Sequence, residues 1–308
     1  VRLEDRAHHR HWPDLEASAV LVQGVIDRLS GDVGRAELQL KEALELCPAA
    51  DFATRGRCHS YLAAIRRQNC EFEEARDLYE QARLLFEQGH DPLGEAQSRL
   101  GVATVAQELG QLDEAEALFL ELAHEFDSLG HLFGLAAAYN GLASVAHIRG
   151  DLSRAESGFR RAWDILERIG SPAAIATGLN VAFVHILQDD GPGTSRALHR
   201  IEARGAATSQ RPWLGQLLVY RLPGLARSRD WLSFDQCLQS ARELLRERAG
   251  PPQDIAQVAT IAAELCAERG EPHRARAALL IAREQWELLD EDASILSVDR
   301  RLGALPAG

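Results

Sequence analysis

Apolar and polar residues alternate with helical spacing along most of the chain, and short turns interrupt the pattern at regular intervals. Residues 109–126, LGQLDEAEALFLELAHEF, show it most clearly. A glycine, which reaches the left-handed conformation that ends a helix, precedes two carboxylates suited to the positive end of the next helix dipole. Ala115, Leu118, Phe119 and Leu122 then follow on one helical face. The stretch therefore predicts a turn followed by an amphipathic helix.

This turn and helix recur along the chain. One apolar and mostly small position of the helix marks the interval, at Ala43, Ala82, Leu122, Ala162, Ala203, Ala241 and Ala282. The successive differences are 39, 40, 40, 41, 38 and 41 residues. Each interval has room for two ordinary helices with their turns, so each unit is predicted to be a helical hairpin.

The predicted array has about seven hairpins and one closing helix. Their expected bounds are 14–50, 51–90, 91–130, 131–170, 171–211, 212–250 and 251–290. Residues 1–13 are expected to finish a helix of a preceding repeat, and residues 291–308 to form a capping helix and tail.

The pattern weakens between residues 187 and 230. There the sequence predicts a longer turn at Asp189–Gly193, a loop over residues 203–212 and a kink at Pro223. The predicted array is therefore least regular in this region.

Composition and charge narrow the classes of function. The 308 residues are 46% hydrophobic and 26% charged, and charges interrupt every long apolar stretch, so no membrane span is predicted. The net charge is −12 and Lys41 is the only lysine, which argues against nucleic-acid binding by this chain. Five cysteines without a CxxC pair indicate free thiols, and a charged start without an apolar run indicates a cytoplasmic protein.

The chain begins at Val1 and contains no methionine. A complete natural protein would carry at least its initiator methionine. The sequence is therefore expected to be the C-terminal part of a larger polypeptide.

The hairpins resemble tetratricopeptide repeats. The matching positions of the fourth unit are Tyr139, Leu142, Ala143, Gly150, Ala155, Phe159 and Ala162. The usual period of that family is 34 residues, and the units here are similar to the longer variety of kinesin light chains and bacterial regulators. The resemblance implies an all-α fold, a right-handed α-α superhelix. Residues 150–170 also resemble the C-terminal tails of bacterial serine/threonine kinases with an ATPase module and of ATP-dependent transcription activators.

In that family the first helix of each hairpin lines a concave groove that holds ligands. The resemblance therefore implies a set of groove positions in the second, third and fourth units. They are Arg57, Ser60, Arg67, Gln68, Gln97, Leu100, Thr104, Gln107, Asn140, Ser144 and His147. Asn and Gln side chains can pair with the backbone of an extended peptide. A wetted face without any ligand fits the same residues.

No catalytic, metal or cofactor site is predicted. The run His8-His9-Arg10-His11 points its imidazoles to different helix faces, and the acidic clusters lie in first turns that the helix dipole favours. Gly191-Pro192-Gly193 has no GK[ST] continuation and is interpreted as a turn.

Two hypotheses of function follow. The first is a non-catalytic interaction module that binds a protein, a peptide or another domain of its own polypeptide. The second is a sensor of a small ligand or signal peptide that switches an attached kinase, ATPase or DNA-binding domain, with a hinge near Pro223.

Overall fold

The computed structural model describes residues 13–205, 213–247 and 252–306, which form fifteen α-helices and no strand. The helices are α1 (Pro13–Leu29), α2 (Val33–Leu46), α3 (Phe52–Gln68), α4 (Phe72–Gln88), α5 (Pro92–Glu108), α6 (Leu112–Ser128), α7 (Leu132–Ile148), α8 (Leu152–Arg168), α9 (Ala173–Leu187), α10 (Gly191–Gly205), α11 (Leu214–Ser228), α12 (Trp231–Glu247), α13 (Pro252–Glu268), α14 (Pro272–Glu287) and α15 (Asp292–Ala304). Fifteen is the number that seven hairpins and one end helix require. The prediction of an all-α fold of helical hairpins is confirmed, while residues 1–12 lie outside the described part.

Most of the turns pass through one residue with positive φ. At residues 110, 130, 150 and 170 this residue is glycine, and the interval is 20. At Gly110 the turn is closed by two backbone bonds, Gly110 N–H to the Gln107 carbonyl (3.0 Å) and Gln111 N–H to the Ala106 carbonyl (2.8 Å). In the second repeat the equivalent position holds Cys70 instead of glycine, and Cys70 adopts the same left-handed conformation with φ 62°. The turn is therefore unchanged.

The chain divides into two compact units, residues 1–149 (the N-terminal unit) and residues 150–308 (the C-terminal unit). In the N-terminal unit each helix from α1 to α7 packs against the next, and α1, α3, α5 and α7 also contact one another in series. These four helices form a layer, called here the odd-helix layer. The even helices α2, α4 and α6 each bridge two successive members of it.

Aromatic side chains on the even helices pack on glycines of the following odd helix. Tyr79 lies against Gly101 and Phe119 against Gly141, where an added Cβ would be 2.4 Å from the ring in each case. Phe119 is 1% exposed and Tyr79 is 8% exposed. Close packing of this kind fixes the distance between successive odd helices and so the spacing of the side chains that they carry.

The C-terminal unit repeats the arrangement. Here α9, α11 and α13 contact one another in series, and α15 packs on α14. Val298 of α15 is buried, and Arg283 Nε donates to Asp299 Oδ1 at 2.8 Å across the α14–α15 pair. Helix α15 thus covers α14, as the predicted capping helix should.

Two expectations for the middle of the chain are wrong. The turn before α10 is as short as the others, because Asp189 takes the left-handed conformation with φ 60° and helix begins at Gly191. Residues 203–205 are helical rather than looped, while residues 206–212 lie outside the described part. The shorter turn moves the register by two residues, so that Ile201 is buried and Ala203 is exposed. Helix α11 continues through Pro223 as a single element.

Candidate functional site: the odd-helix layer of the N-terminal unit

All eleven predicted groove residues lie on α3, α5 and α7, which are consecutive members of the odd-helix layer. A shift of 40 residues relates them from helix to helix. The resulting rows are Arg57–Gln97, Ser60–Leu100–Asn140, Thr104–Ser144 and Arg67–Gln107–His147, with Gln68 standing alone among the eleven. Because these helices contact one another, the rows cross the layer from one helix to the next.

Exposure differs along each helix. Arg57 and Gln97, near the amino ends of α3 and α5, are exposed, and so is Gln68 at the end of α3. The other eight residues are half-buried. The row Arg57–Gln97 is therefore the part of the candidate site that is most open to a partner.

Hydrogen bonds between helices fix side chains near the carboxyl ends of α3, α5 and α7. Arg67 Nη1 donates to Glu108 Oε1 at 2.6 Å, which joins α3 to α5. Gln107 Nε2 donates to Ser144 Oγ at 3.0 Å, which joins α5 to α7. These bonds orient the side chains in advance, and they also occupy donors that the sequence analysis assigns to a ligand.

Two further hydroxyls already have partners within the layer. Thr104 Oγ1 donates to the Leu100 carbonyl at 2.8 Å. Ser60 Oγ lies 3.5 Å from Ser98 Oγ, and Ser98 donates in turn to the Gly94 carbonyl at 3.0 Å. The Thr104 bond lies within α5, whereas the contact between Ser60 and Ser98 joins α3 to α5.

The ionisation of the layer follows from burial and neighbours. Burial lowers the pKa of His147, so its imidazole is neutral at pH 7. Burial also opposes the charge of Arg67, but Glu108 and Tyr79 beside it raise the pKa of its guanidinium overall. Arg28 of α1 lies 5.6 Å from the centre of the Tyr61 ring, a cation–π distance. Beside the candidate residues the layer thus places the positive charges of Arg67 and Arg28 and the carboxylate of Glu108.

Sequence reasoning missed Glu108 and Ser98. Glu108 is the last residue of α5, just as Gln68 is the last residue of α3, so the 40-residue register contained the signal. Ser98 follows the candidate Gln97 directly and is buried at 1% exposure. A serine on the buried side of a helix gives no sign in the sequence that it contacts the next helix.

The described residues hold no group of three or more His, Cys, Asp and Glu that could bind a metal ion. Within the same residues no helix is both long enough and apolar enough to cross a bilayer. The chemistry that the layer displays is hydrogen bonding and charge at fixed positions.

One stretch of the chain matches a known protein family by sequence. Residues 57–123 match the family model described as Tetratricopeptide repeat. The match extends from α3 into α6 and includes the candidates from Arg57 to Gln107. No curated protein matches the chain by sequence.

Comparison with solved structures extends the likeness in fold to nearly the whole chain. Aspartyl phosphate phosphatase F from Bacillus subtilis superposes with a TM-score of 0.69 at 14% identity, over 93% of this chain and 74% of that chain. A Rap protein complexed with Competence and Sporulation Factor gives 0.67 at 17% identity, over 94% and 74%. The Rap conjugation gene regulator of the plasmid pLS20, in complex with the Phr* peptide, gives 0.67 at 17% identity, over 90% and 76%.

These identities establish a shared fold and nothing beyond it. The family match covers the candidates on α3 and α5 but not those on α7, and the superpositions show that the chain has a helical-repeat fold. Residues 57–123 thus match the tetratricopeptide repeat model by sequence, and the chain is similar in fold to these helical-repeat Rap structures.

Proposed function

We propose that this chain is a non-catalytic scaffold that binds an extended peptide, or an extended segment of a partner protein, across α3, α5 and α7. The observation that carries the proposal is the register of the polar positions. Three helices in contact present them in rows, and Arg57 and Gln97 are exposed in the same row. An extended chain that crosses the helices would meet a polar side chain on each of them, Arg57 on α3, Gln97 on α5 and Asn140 on α7.

The chemistry of the rows fits a peptide. Gln97 and Asn140 carry both a donor and an acceptor and can pair with the N–H and C=O of one peptide unit. Arg57 offers a guanidinium to a carboxylate of the peptide, either a side chain or its C-terminus. The bonds Arg67–Glu108 and Gln107–Ser144 hold the supporting side chains in place, which lowers the entropy lost on binding.

The comparisons support the same class of partner. One Rap structure of this fold is a complex with the Phr* peptide, and another is a complex with Competence and Sporulation Factor. The identity of 17% leaves the partner of this chain a matter for experiment.

The test is a selection of random twelve-residue peptides displayed on phage, using the full chain as bait. Selected peptides are titrated into the wild type and into Arg57→Ala/Gln97→Ala. The matched control is Gln81→Ala/His124→Ala, two exposed positions on the even helices α4 and α6. The double variant on the odd helices should weaken binding at least about tenfold, whereas the control should bind as the wild type does. Equal binding by all three proteins, or no enriched peptide, would contradict the proposal.

Arg67 is unsuitable as the first target. Removing it would leave Glu108 without its partner, so a loss of binding could reflect a local rearrangement. Asn140→Ala, added to the Arg57 and Gln97 changes, extends the test to α7 without breaking the bond between Arg67 and Glu108.

We further propose that the scaffold is a regulatory region of a larger bacterial signalling or transcription-regulatory protein and works in the cytoplasm. Support comes from the resemblance of residues 150–170 to the tails of such regulators and from the gene regulator among the similar structures. Reading the gene upstream of Val1 tests this, since a kinase, ATPase or DNA-binding module there is expected. The non-catalytic part is tested with acetyl phosphate, an acyl phosphate, because phosphate release by the purified chain would contradict it.

A further inference from the structure

A cavity of about 630 Å³ lies in the C-terminal unit between α10, α11 and α12. This volume is within the range of pockets that enclose a small organic molecule. The cavity is formed by other helices than those of the proposed peptide site, so it is a separate feature.

At α10 a leucine takes the core position that is aromatic in α4, α6 and α8, as a leucine also does in α2 and α14. The ninth residue after the left-handed turn residue is Tyr79 in α4, Phe119 in α6 and Phe159 in α8, and each of these aromatic side chains is buried. The ninth residue after Asp189 is Leu198, which is smaller and lines the cavity.

The aromatic side chain of this region stands on α11 instead. Tyr220 is fully buried, stacks on Phe183 of α9 with ring centres 6.1 Å apart, and accepts a hydrogen bond from Gln216 at 2.9 Å. Its ring packs on Phe183 and does not fill the space beside Leu198. Gly224, on the same helix, leaves further space, since an added Cβ there would meet nothing within 4 Å.

The wall has an apolar part and a positive part. Leu198, Pro223 and Leu225 are apolar, while Arg221 and Arg227 bring two guanidinium groups. None of the described lining residues is a carboxylate, in a chain of net charge −12. The ion-pair partners of these arginines, Glu202 and Asp189, are not among the lining residues.

These pairs leave the arginines able to bind a further anion. A guanidinium has five N–H donors in a planar fork, and one carboxylate uses at most two of them. The carboxylate of Asp189 is 75% exposed, so water weakens its hold on Arg227. Arg221 and Glu202 are half-buried, which places a largely fixed cation beside the apolar wall.

We propose that this cavity binds a small amphipathic organic anion, with its apolar body against Leu198, Pro223 and Leu225 and its carboxylate, sulfonate or phosphate group at Arg221. The site differs from the peptide face in chemistry as well as in place, since it encloses an apolar body rather than an extended backbone.

The experiment uses 8-anilinonaphthalene-1-sulfonate as the anionic probe and the neutral N-phenyl-1-naphthylamine as its uncharged analogue. Fluorescence titration of the full chain should show one saturable site for the anion. Leu198→Phe restores the aromatic residue of α6 and α8 and should weaken both probes at least about tenfold by filling the space. Gly224→Leu is a second filling variant, on a different helix and with open space around its Cβ, and it should act in the same way.

Charge variants distinguish an anion-binding site from a cavity that binds the probes through apolar contacts alone. Arg221→Gln should weaken the sulfonate probe at least about fivefold and leave the neutral probe unchanged. Glu202→Gln should tighten the sulfonate probe, because it releases Arg221 from its competing carboxylate. Arg196→Gln is the matched control, an exposed arginine on α10 outside the cavity wall, and should change neither probe.

The proposal is overturned if the wild type has no saturable site, if folded Leu198→Phe and Gly224→Leu proteins bind the probes as well as the wild type, or if Arg221→Gln affects both probes equally. Failure here leaves the peptide selection on the N-terminal unit unaffected, so the two proposals are tested separately.

Discussion

At the scale of single residues, the fold depends on close contacts in which an aromatic ring of one helix packs on a glycine of the next. Gly141 is the clearest case, because the Phe119 ring occupies the place of its missing Cβ. An alanine in the interior of a helix is normally better than glycine by about 1 kcal/mol. At this position the steric conflict with Phe119 should make alanine less favourable than glycine.

Gly141→Ala should lower the free energy of unfolding by about 1–3 kcal/mol, as measured by urea denaturation followed by circular dichroism. Gly34→Ala is the control, since a Cβ at that exposed position would meet nothing within 4 Å. It should leave stability unchanged or slightly increased. A Gly141→Ala protein as stable as the wild type would show that successive odd helices are not held by this contact.

Asp254, in the first turn of α13, gives a prediction for pH. Burial raises its pKa to about 6, above the ordinary value of 3.8. The folded protein therefore holds this proton more tightly than the unfolded chain, and Asp254 becomes increasingly destabilising as the pH rises from 3.8 through 6. Asp254→Asn should stabilise the protein by about 1–2 kcal/mol at pH 7.5 and by much less at pH 4. Denaturation series at both pH values check this, and an equal effect at both would contradict it.

At the scale of helices and turns, the sequence predicts most of what is observed. The regular left-handed turn residues and the buried small positions follow from a local pattern of about 20 residues per helix and turn. The predicted register is wrong at α10. Asp189 adopts a conformation usually left to glycine, so the turn is shorter than predicted, and Ile201 takes the buried position that was predicted for Ala203.

Contacts between helices were less predictable than the helices themselves. The bond between Arg67 and Glu108 joins residues 41 positions apart, and nothing in either local sequence indicates that the two side chains meet. The cavity beside Leu198 is also formed between helices, since residues of α10, α11 and α12 line it. Such features depend on which faces meet, and a periodic pattern does not specify the rotamers there.

Helix α15 provides a test at this scale. Val298→Asp would bury a charge against α14 without a partner and should detach the end helix, at a cost of about 3 kcal/mol or more. Hydrogen exchange read by mass spectrometry should then show lost protection in α14 and α15, with α1 to α7 unchanged, because repeats are stabilised mainly by their neighbours. Leu296→Asp is the control on the exposed side of the same helix, where the side chain is 59% exposed. Equal loss of protection in both variants would argue against burial of Val298 as the cause.

At the scale of the whole molecule, the two compact units present different surfaces. The N-terminal unit offers polar rows on three helices in contact, and the C-terminal unit encloses a cavity with apolar and cationic walls. The tetratricopeptide match covers residues 57–123 and so falls within the unit that carries the proposed peptide site. We therefore propose that the N-terminal unit recognises a partner and that the C-terminal unit binds a small anion.

The central claim is that an extended peptide lies across α3, α5 and α7. The most direct measurement is photo-cross-linking with a selected peptide that carries benzoylphenylalanine at its centre, followed by mass spectrometry of the linked fragments. We expect cross-links to residues of α3, α5 and α7, with the strongest near the row of Arg57 and Gln97, and their loss when unlabelled peptide competes. Cross-links concentrated on the even helices α4 and α6, or in the C-terminal unit, would contradict it.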